Sequence, residues 1–167
     1  MAQGHSVVRE GAIAGFIGAT ALALWFLVVD VMSGEVFRTP RVLGFAVFSV
    51  LGGATGDDSG LLHVVGYTIF HYAVFIALGM LAVKLVHVAE GAPHVLAGVT
   101  ILFVIIHIGS YGLSTMLASS AFFGGTAWYL VLAGNLVAAV GMGFYLWRSH
   151  PKLRQEFESA LGGQGVE

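Results

Sequence analysis

Hydrophobic residues form long uninterrupted runs along this chain, and charged residues fall between the runs rather than within them. Residues 11–29 form a run of 19 without Asp, Glu, Lys or Arg, and residues 59–83 form one of 25. A helix needs about 20 apolar residues to cross the roughly 30 Å of hydrocarbon in a bilayer. Each of these two runs therefore predicts one membrane-spanning helix.

A third run, residues 91–147, is too long for a single span. Its 57 uncharged residues would extend over about 85 Å as one helix, so the chain has to turn back within it. Gly124 and Gly125 supply a suitable turn. The pattern as a whole predicts an all-α fold, a four-helix transmembrane bundle forming one integral membrane domain over residues 1–167. Its spans lie at about residues 11–31, 60–84, 94–116 and 127–147.

A shorter uncharged run of 15 residues, 42–56, follows the first span. It is too short to cross a bilayer and predicts an interfacial or re-entrant helix at about residues 40–51. Thr39 is a suitable N-cap for this helix, Pro40 fits the first helical position, and Gly52 ends it.

Composition and charge indicate that this chain is embedded in a lipid bilayer. The chain is 57% hydrophobic and 10% charged, with a mean hydropathy of +0.90, whereas about 25% of residues are charged in a typical soluble domain. With four spans, one side of the membrane carries five basic residues and the other carries two. This distribution predicts that both termini are cytoplasmic, in what we expect to be a bacterial inner membrane. The five are Arg9, Lys84, Arg148, Lys152 and Arg154, and the two are Arg38 and Arg41.

Few extramembranous features remain. Residues 148–167 predict a short amphipathic tail on the cytoplasmic surface.

Asp30 lies at the outer end of the first span, where we expect Arg38 or Arg41 to pair with it. A proton-uptake role for Asp30 is the alternative.

Several function classes are excluded by the sequence. The net charge of −2 and the lack of a basic cluster exclude nucleic acid as a partner, and the absence of cysteine removes thiolate chemistry. No phosphate loop, nucleophile elbow or His-Glu-x-x-His motif is present. We therefore expect no catalytic residue, no metal site and no enzymatic activity.

Two intramembrane histidines are the main candidates for chemistry. If the second and third spans form an antiparallel hairpin, His71 and His107 lie at similar depth near the midplane. Paired imidazoles are suited to binding haem b, and a single one to a chlorophyll-type pigment. The simpler interpretation makes both histidines interhelical hydrogen-bond partners, with no cofactor as the default and proton relay as a further alternative.

Small residues predict where helices approach closely. Gly11, Gly15 and Ala19 form a stripe on the first span, and the last span carries two such pairs. Asn135, on the last span, is expected to form a hydrogen bond to another helix. A stripe that faces outward would indicate a partner subunit or self-association. The two pairs are Gly134 with Ala138 and Ala139 with Gly143.

These observations predict a structural or accessory integral membrane subunit, itself non-catalytic. It would pack within a larger respiratory or photosynthetic electron-transfer assembly and contact lipid, quinone or pigment. The first alternative is a small b-type haem or chlorin-binding redox protein that uses the intramembrane histidines. The second alternative is a small-solute transporter or channel.

Overall fold

The computed structural model describes residues 6–52, 60–89 and 128–151. These residues form four α-helices and no strand, so the all-helical prediction is confirmed for them. Three of the helices are long and apolar enough to cross a membrane. The predicted third span at residues 94–116 and the tail beyond residue 151 lie outside the described residues. In chain order the helices are α1 (Val7–Met32), α2 (Arg38–Val50), α3 (Gly60–Ala89) and α4 (Trp128–Ser149).

α1 and α3 extend several residues past the uncharged runs that predicted them. α1 starts four residues before residue 11, and the backbone N–H of Arg9 donates to the Ser6 hydroxyl at 3.5 Å as an N-terminal cap. α3 continues through Lys84 to Ala89. Charges mark where a helix leaves hydrocarbon, but they do not end the helix, so the uncharged run underestimates its length.

Glycine allows α1 and α3 to pack with their backbones in contact. A Cβ on Gly79 would overlap the carbonyl oxygen of Gly11, and one on Gly15 would overlap the carbonyl oxygen of Phe75. A Cβ on Gly11 would meet the backbone of Met80. Any side chain at these positions would push the two helices apart.

α4 packs against another part of α1. The indole N–H of Trp25 donates to the carbonyl oxygen of Leu130 at 2.9 Å. A Cβ on Gly134 would lie 2.6 Å from a methyl carbon of Leu22 and 2.7 Å from the Trp25 ring. Ala138, one turn further along α4, is 3% exposed. α1 is therefore the central helix of the described bundle, with α3 and α4 both packed on it.

α1 ends in a Schellman motif centred on Gly34. Gly34 has a φ of 78°, in the left-handed region that glycine adopts without steric cost. Its N–H donates to the Val31 carbonyl at 3.1 Å, and the N–H of Glu35 donates to the Asp30 carbonyl at 3.1 Å. This motif reverses the chain sharply and brings α2 beside the end of α1.

The start of α2 differs from the sequence prediction. Its N-cap is Phe37, which has a φ of 66° and gives no side-chain cap, and Thr39 is the second helical residue rather than the cap. The carboxylate of Asp30 caps α2 instead. It accepts a hydrogen bond from the Thr39 N–H at 2.8 Å and another from the Thr39 hydroxyl at 2.7 Å. The expected pairing of Asp30 with arginine is wrong, and Arg38 pairs with Glu35 at 3.4 Å.

α2 packs against the first turns of α3. A Cβ on Gly44 would overlap the carbonyl oxygen of His63, and the ring of Phe48 lies where a Cβ on Gly66 would be. The His63 ring, 3% exposed, makes edge contacts with Phe45 and Phe48 at centroid distances of 5.7 and 5.4 Å. The predicted short helix therefore lies against the bundle.

The beginning of α1 and the ends of α3 and α4 lie at the same end of the bundle. The imidazole rings of His87, near the end of α3, and His150, just after α4, are 5.4 Å apart. His150 also lies beside Glu10 in the first turn of α1. α3 and α4 thus run in the same direction, antiparallel to α1, which the predicted four-span topology requires.

Candidate functional site

His71 holds α3 to α1. Its Nε2 lies 3.1 Å from the carbonyl oxygen of Ala19, and the residue is 9% exposed. A carbonyl oxygen only accepts, so Nε2 carries the proton and donates. The ring is enclosed by aromatic neighbours on its own helix, with centroids at 4.7 Å for Phe75, 5.6 Å for Tyr67 and 5.8 Å for Tyr72.

A second polar link joins the same two helices through the next residue on each, Thr20 on α1 and Tyr72 on α3. The Thr20 hydroxyl donates to the Phe16 carbonyl at 2.8 Å, which uses its single proton. The Tyr72 hydroxyl, 3.0 Å from the Thr20 oxygen, is therefore the donor in that contact. The tyrosine ring also contacts Phe16 at a centroid distance of 5.2 Å. His71 and Tyr72 together provide two hydrogen bonds that pin α3 to α1.

A cavity of about 180 Å³ lies beside His71, between α1, α2 and α3. Most of its wall is apolar, and a few polar side chains from the three helices complete it. Such a space accepts a single ring, since an apolar cavity of about 150 Å³ binds benzene. It is smaller than the roughly 300–1,000 Å³ typical of sites for larger ligands. The polar lining residues are Asp30, Thr39, Tyr67, Thr68, His71 and Tyr72.

The other residues singled out from the sequence are distributed along the helix contacts. Gly11, Gly15 and Ala19 are buried on α1, and Gly134 and Ala138 are buried on α4. These small residues serve contacts between helices of the chain itself. By contrast, Ala139 and Gly143 on α4 are exposed, and nothing lies within 4 Å of a Cβ built on Gly143.

The structure gives little support for a role of the two remaining candidates, Asn135 and His107. Asn135 is half-buried on α4, and its amide forms no hydrogen bond to another side chain in the described part of the chain. His107, the proposed partner of His71, lies outside the described residues. The pairing of the two histidines near the midplane therefore stays a prediction.

The structure brings together one group of side chains that the sequence analysis did not connect. Glu10, His87 and His150 each offer a ligand atom, and these atoms all lie within 4.8 Å of one another. Glu10 is 6% exposed and His150 is 4% exposed, whereas His87 is exposed. We refer to these three residues as the end cluster.

The end cluster could have been predicted from the helix topology, although not from local sequence motifs. Its residues are separated by 77 and 63 positions, so no local motif connects them. The prediction of no metal site was based on the absence of a local motif such as His-Glu-x-x-His. Matching the positions at which α1 begins and α3 and α4 end would have placed the three side chains at the same membrane face.

Comparison of the chain with protein-family models, with curated proteins and with solved structures finds no match.

Proposed function

We propose that this protein is a non-catalytic integral membrane subunit that packs within a larger membrane assembly. One observation carries the proposal: three polar side chains within the long apolar helices form hydrogen bonds that link one helix to another. His71 bonds to Ala19, Tyr72 to Thr20, and Trp25 to Leu130. Side chains held in this way support helix association rather than a reaction on a substrate.

The outer surface of the described helices is consistent with such a role. Large apolar side chains are exposed along α1, α3 and α4, where lipid or a partner helix would cover them. Ala139 and Gly143 add a small-residue stripe to the exposed surface of α4. Such a stripe allows another helix to approach closely. The exposed apolar residues include Leu24 and Val28 of α1, Ile69 of α3, and Leu136, Val140 and Phe144 of α4.

Size analysis of native membranes tests this proposal. After solubilisation in a mild detergent, we expect the protein to migrate in a particle larger than its own monomer, with other polypeptides in fixed ratio. Gly143→Trp should release it from that particle, because the new ring occupies the exposed α4 stripe. Ile69→Trp, at an exposed site on α3, is the matched control. A wild-type protein that migrates alone as a monodisperse species would refute the proposal.

The cavity beside His71 supports a second candidate function, the binding of a small ring from the lipid phase, such as a quinone head group. Its volume of about 180 Å³ suits one ring and not a macrocycle. Haem ligation through Nε2 of His71 would also require that atom to give up its hydrogen bond to Ala19. The cavity therefore favours a quinone-sized ligand over haem.

Ligand-induced stabilisation tests this second candidate. A short-chain benzoquinone should raise the unfolding temperature of the purified wild-type protein. Val64→Phe, which places a ring in the cavity wall, should abolish the shift while leaving the fold intact. Val65→Phe, at an exposed neighbouring position on α3, should retain it. An equal shift in all three proteins, or none in the wild type, would reject the cavity as the binding site.

A further inference from the structure

We propose that the end cluster of Glu10, His87 and His150 binds a divalent transition-metal ion of the Zn²⁺ class. The ion would join the first turn of α1 to the ends of α3 and α4. The inference is independent of the function proposed above, because it concerns the opposite end of α1 from the cavity and uses none of its residues.

The hydrogen bond of His150 determines which ring nitrogen faces Glu10. Nδ1 of His150 lies 3.1 Å from the carbonyl oxygen of Leu146, and since a carbonyl only accepts, Nδ1 carries a proton. In the neutral ring Nε2 then presents a lone pair, and it lies 3.6 Å from Oε2 of Glu10. A lone pair and a carboxylate oxygen repel each other unless a proton or a cation lies between them. A metal ion bound by both atoms removes this repulsion.

The same hydrogen bond is typical of a metal-binding histidine. Such a residue usually donates its second ring N–H to a carboxylate or a backbone carbonyl, which fixes the tautomer and aims the other nitrogen at the metal. His150 makes this bond to its own helix, through Leu146. The ring is therefore oriented before any ion arrives.

The donor spacing is close to that of a tetrahedral site. Zn–N and Zn–O bonds of about 2.0–2.2 Å place neighbouring donors roughly 3.4 Å apart. Glu10 and His150 are at 3.6 Å, and the widest separation in the cluster is within 4.8 Å. His87 is exposed and lies at the end of its helix, so a rotamer change brings its ring closer without moving the backbone.

The donor set determines the class of ion. Two imidazoles and one carboxylate form the three-ligand set found in open zinc sites, and they also accept other first-row transition metals. Ca²⁺ and Mg²⁺ prefer all-oxygen sites. Because His87 is exposed, the fourth coordination position opens to water.

Metal titration of the full-length protein tests the proposal. The protein is purified with a histidine-free affinity tag, treated with a chelator and titrated with Co²⁺ and then Zn²⁺. We expect one equivalent of Co²⁺ to give the visible absorption bands of tetrahedral coordination, and Zn²⁺ to displace it. Zn²⁺ should also raise the unfolding temperature, because it binds the folded state alone.

Variants locate the site. His87→Ala and Glu10→Gln should each lower the Co²⁺ affinity at least tenfold, and His150→Ala should abolish the tetrahedral spectrum. Lys84→Ala, one turn before His87, and Glu35→Gln, an exposed carboxylate beyond the other end of α1, should bind as the wild type does. If His150→Ala does not fold, the His87→Ala variant still tests whether the end cluster binds the metal, because His87 is exposed. Wild-type affinity in His87→Ala and Glu10→Gln, or no binding by the wild type, would overturn the proposal.

Discussion

A single carboxylate determines where α2 begins. Asp30 is 2% exposed, and both of its oxygens accept hydrogen bonds from Thr39. One bond satisfies a backbone N–H in the first turn of α2 that has no partner within the helix. The negative charge also lies at the positive end of the α2 dipole. Asp30 therefore acts as a capping residue supplied by the preceding helix.

We expect Thr39→Val to destabilise the protein by about 1.5–3 kcal/mol. The substitution keeps the shape of the side chain but removes the hydroxyl that donates to a buried carboxylate, and such bonds contribute about this much. Thr39→Ser, which keeps the hydroxyl, should lose less than half as much. Unfolding of the purified protein by SDS titration measures both values. Equal stability of Thr39→Val and the wild type would show that the Asp30 contact contributes nothing.

The sequence predicted a capping role near Thr39 but not the correct partner. Capping rules are local, and they selected Thr39 because a hydroxyl residue precedes Pro40. The actual capping group comes from Asp30, nine positions earlier, and it reaches α2 only because Gly34 reverses the chain. Left-handed Phe37 at the N-cap position has no sequence signature, since a bulky residue rarely adopts that conformation.

At the scale of elements, glycine determines how closely the helices pack. The stripe on α1 was visible in the sequence, and close approach to another helix followed from it. Which helix approaches was not visible, because the residues four positions before and after Gly79 on α3 are Phe75 and Val83 rather than small residues. Its role depends on the register of the two helices, where it meets Gly11 and Gly15. Register arises from the fit of whole surfaces and cannot be read from one of them.

Gly79→Ala should therefore separate α1 from α3. The new methyl group would overlap the Gly11 backbone, which cannot rotate away, so we expect a loss of at least about 1–3 kcal/mol in unfolding free energy. Gly143→Ala, also inside a helix but with open space at its Cβ, is the control. It should be neutral or stabilising by up to about 1 kcal/mol, because alanine favours helix. Equal effects at both positions would contradict the close packing of α1 and α3.

At the scale of the whole molecule, charge distribution predicted more than propensity did. It located all three long helices that the structure describes, because hydrocarbon tolerates few charges. The same distribution left the end cluster undetected. Glu10, His87 and His150 lie far apart in the sequence, so none of them belonged to a predicted site. Their proximity arises only when three helices pack together.

The absence of cysteine allows the predicted orientation to be tested with single introduced thiols. Glu35→Cys lies between α1 and α2, and Lys84→Cys lies near the opposite end of the bundle, both exposed. With cytoplasmic termini, a membrane-impermeant maleimide should label intact cells at residue 35 and not at residue 84. Permeabilised cells should be labelled at both. The reverse pattern would invert the orientation, and labelling of both in intact cells would contradict membrane insertion.

The position of the end cluster in the chain has a consequence for biosynthesis. Glu10 and His150 lie 140 positions apart, and α1 and α3 both precede α4. The α1–α3 contacts can therefore form while the ribosome is still translating, whereas the end cluster can close only after residue 150 has emerged. Closure of the end cluster therefore distinguishes a chain that contains residue 150 from one truncated before it. A chain truncated before residue 150 would lack the imidazole that lies 3.6 Å from the Glu10 carboxylate, and the first turn of α1 would lose this contact with the end of α4.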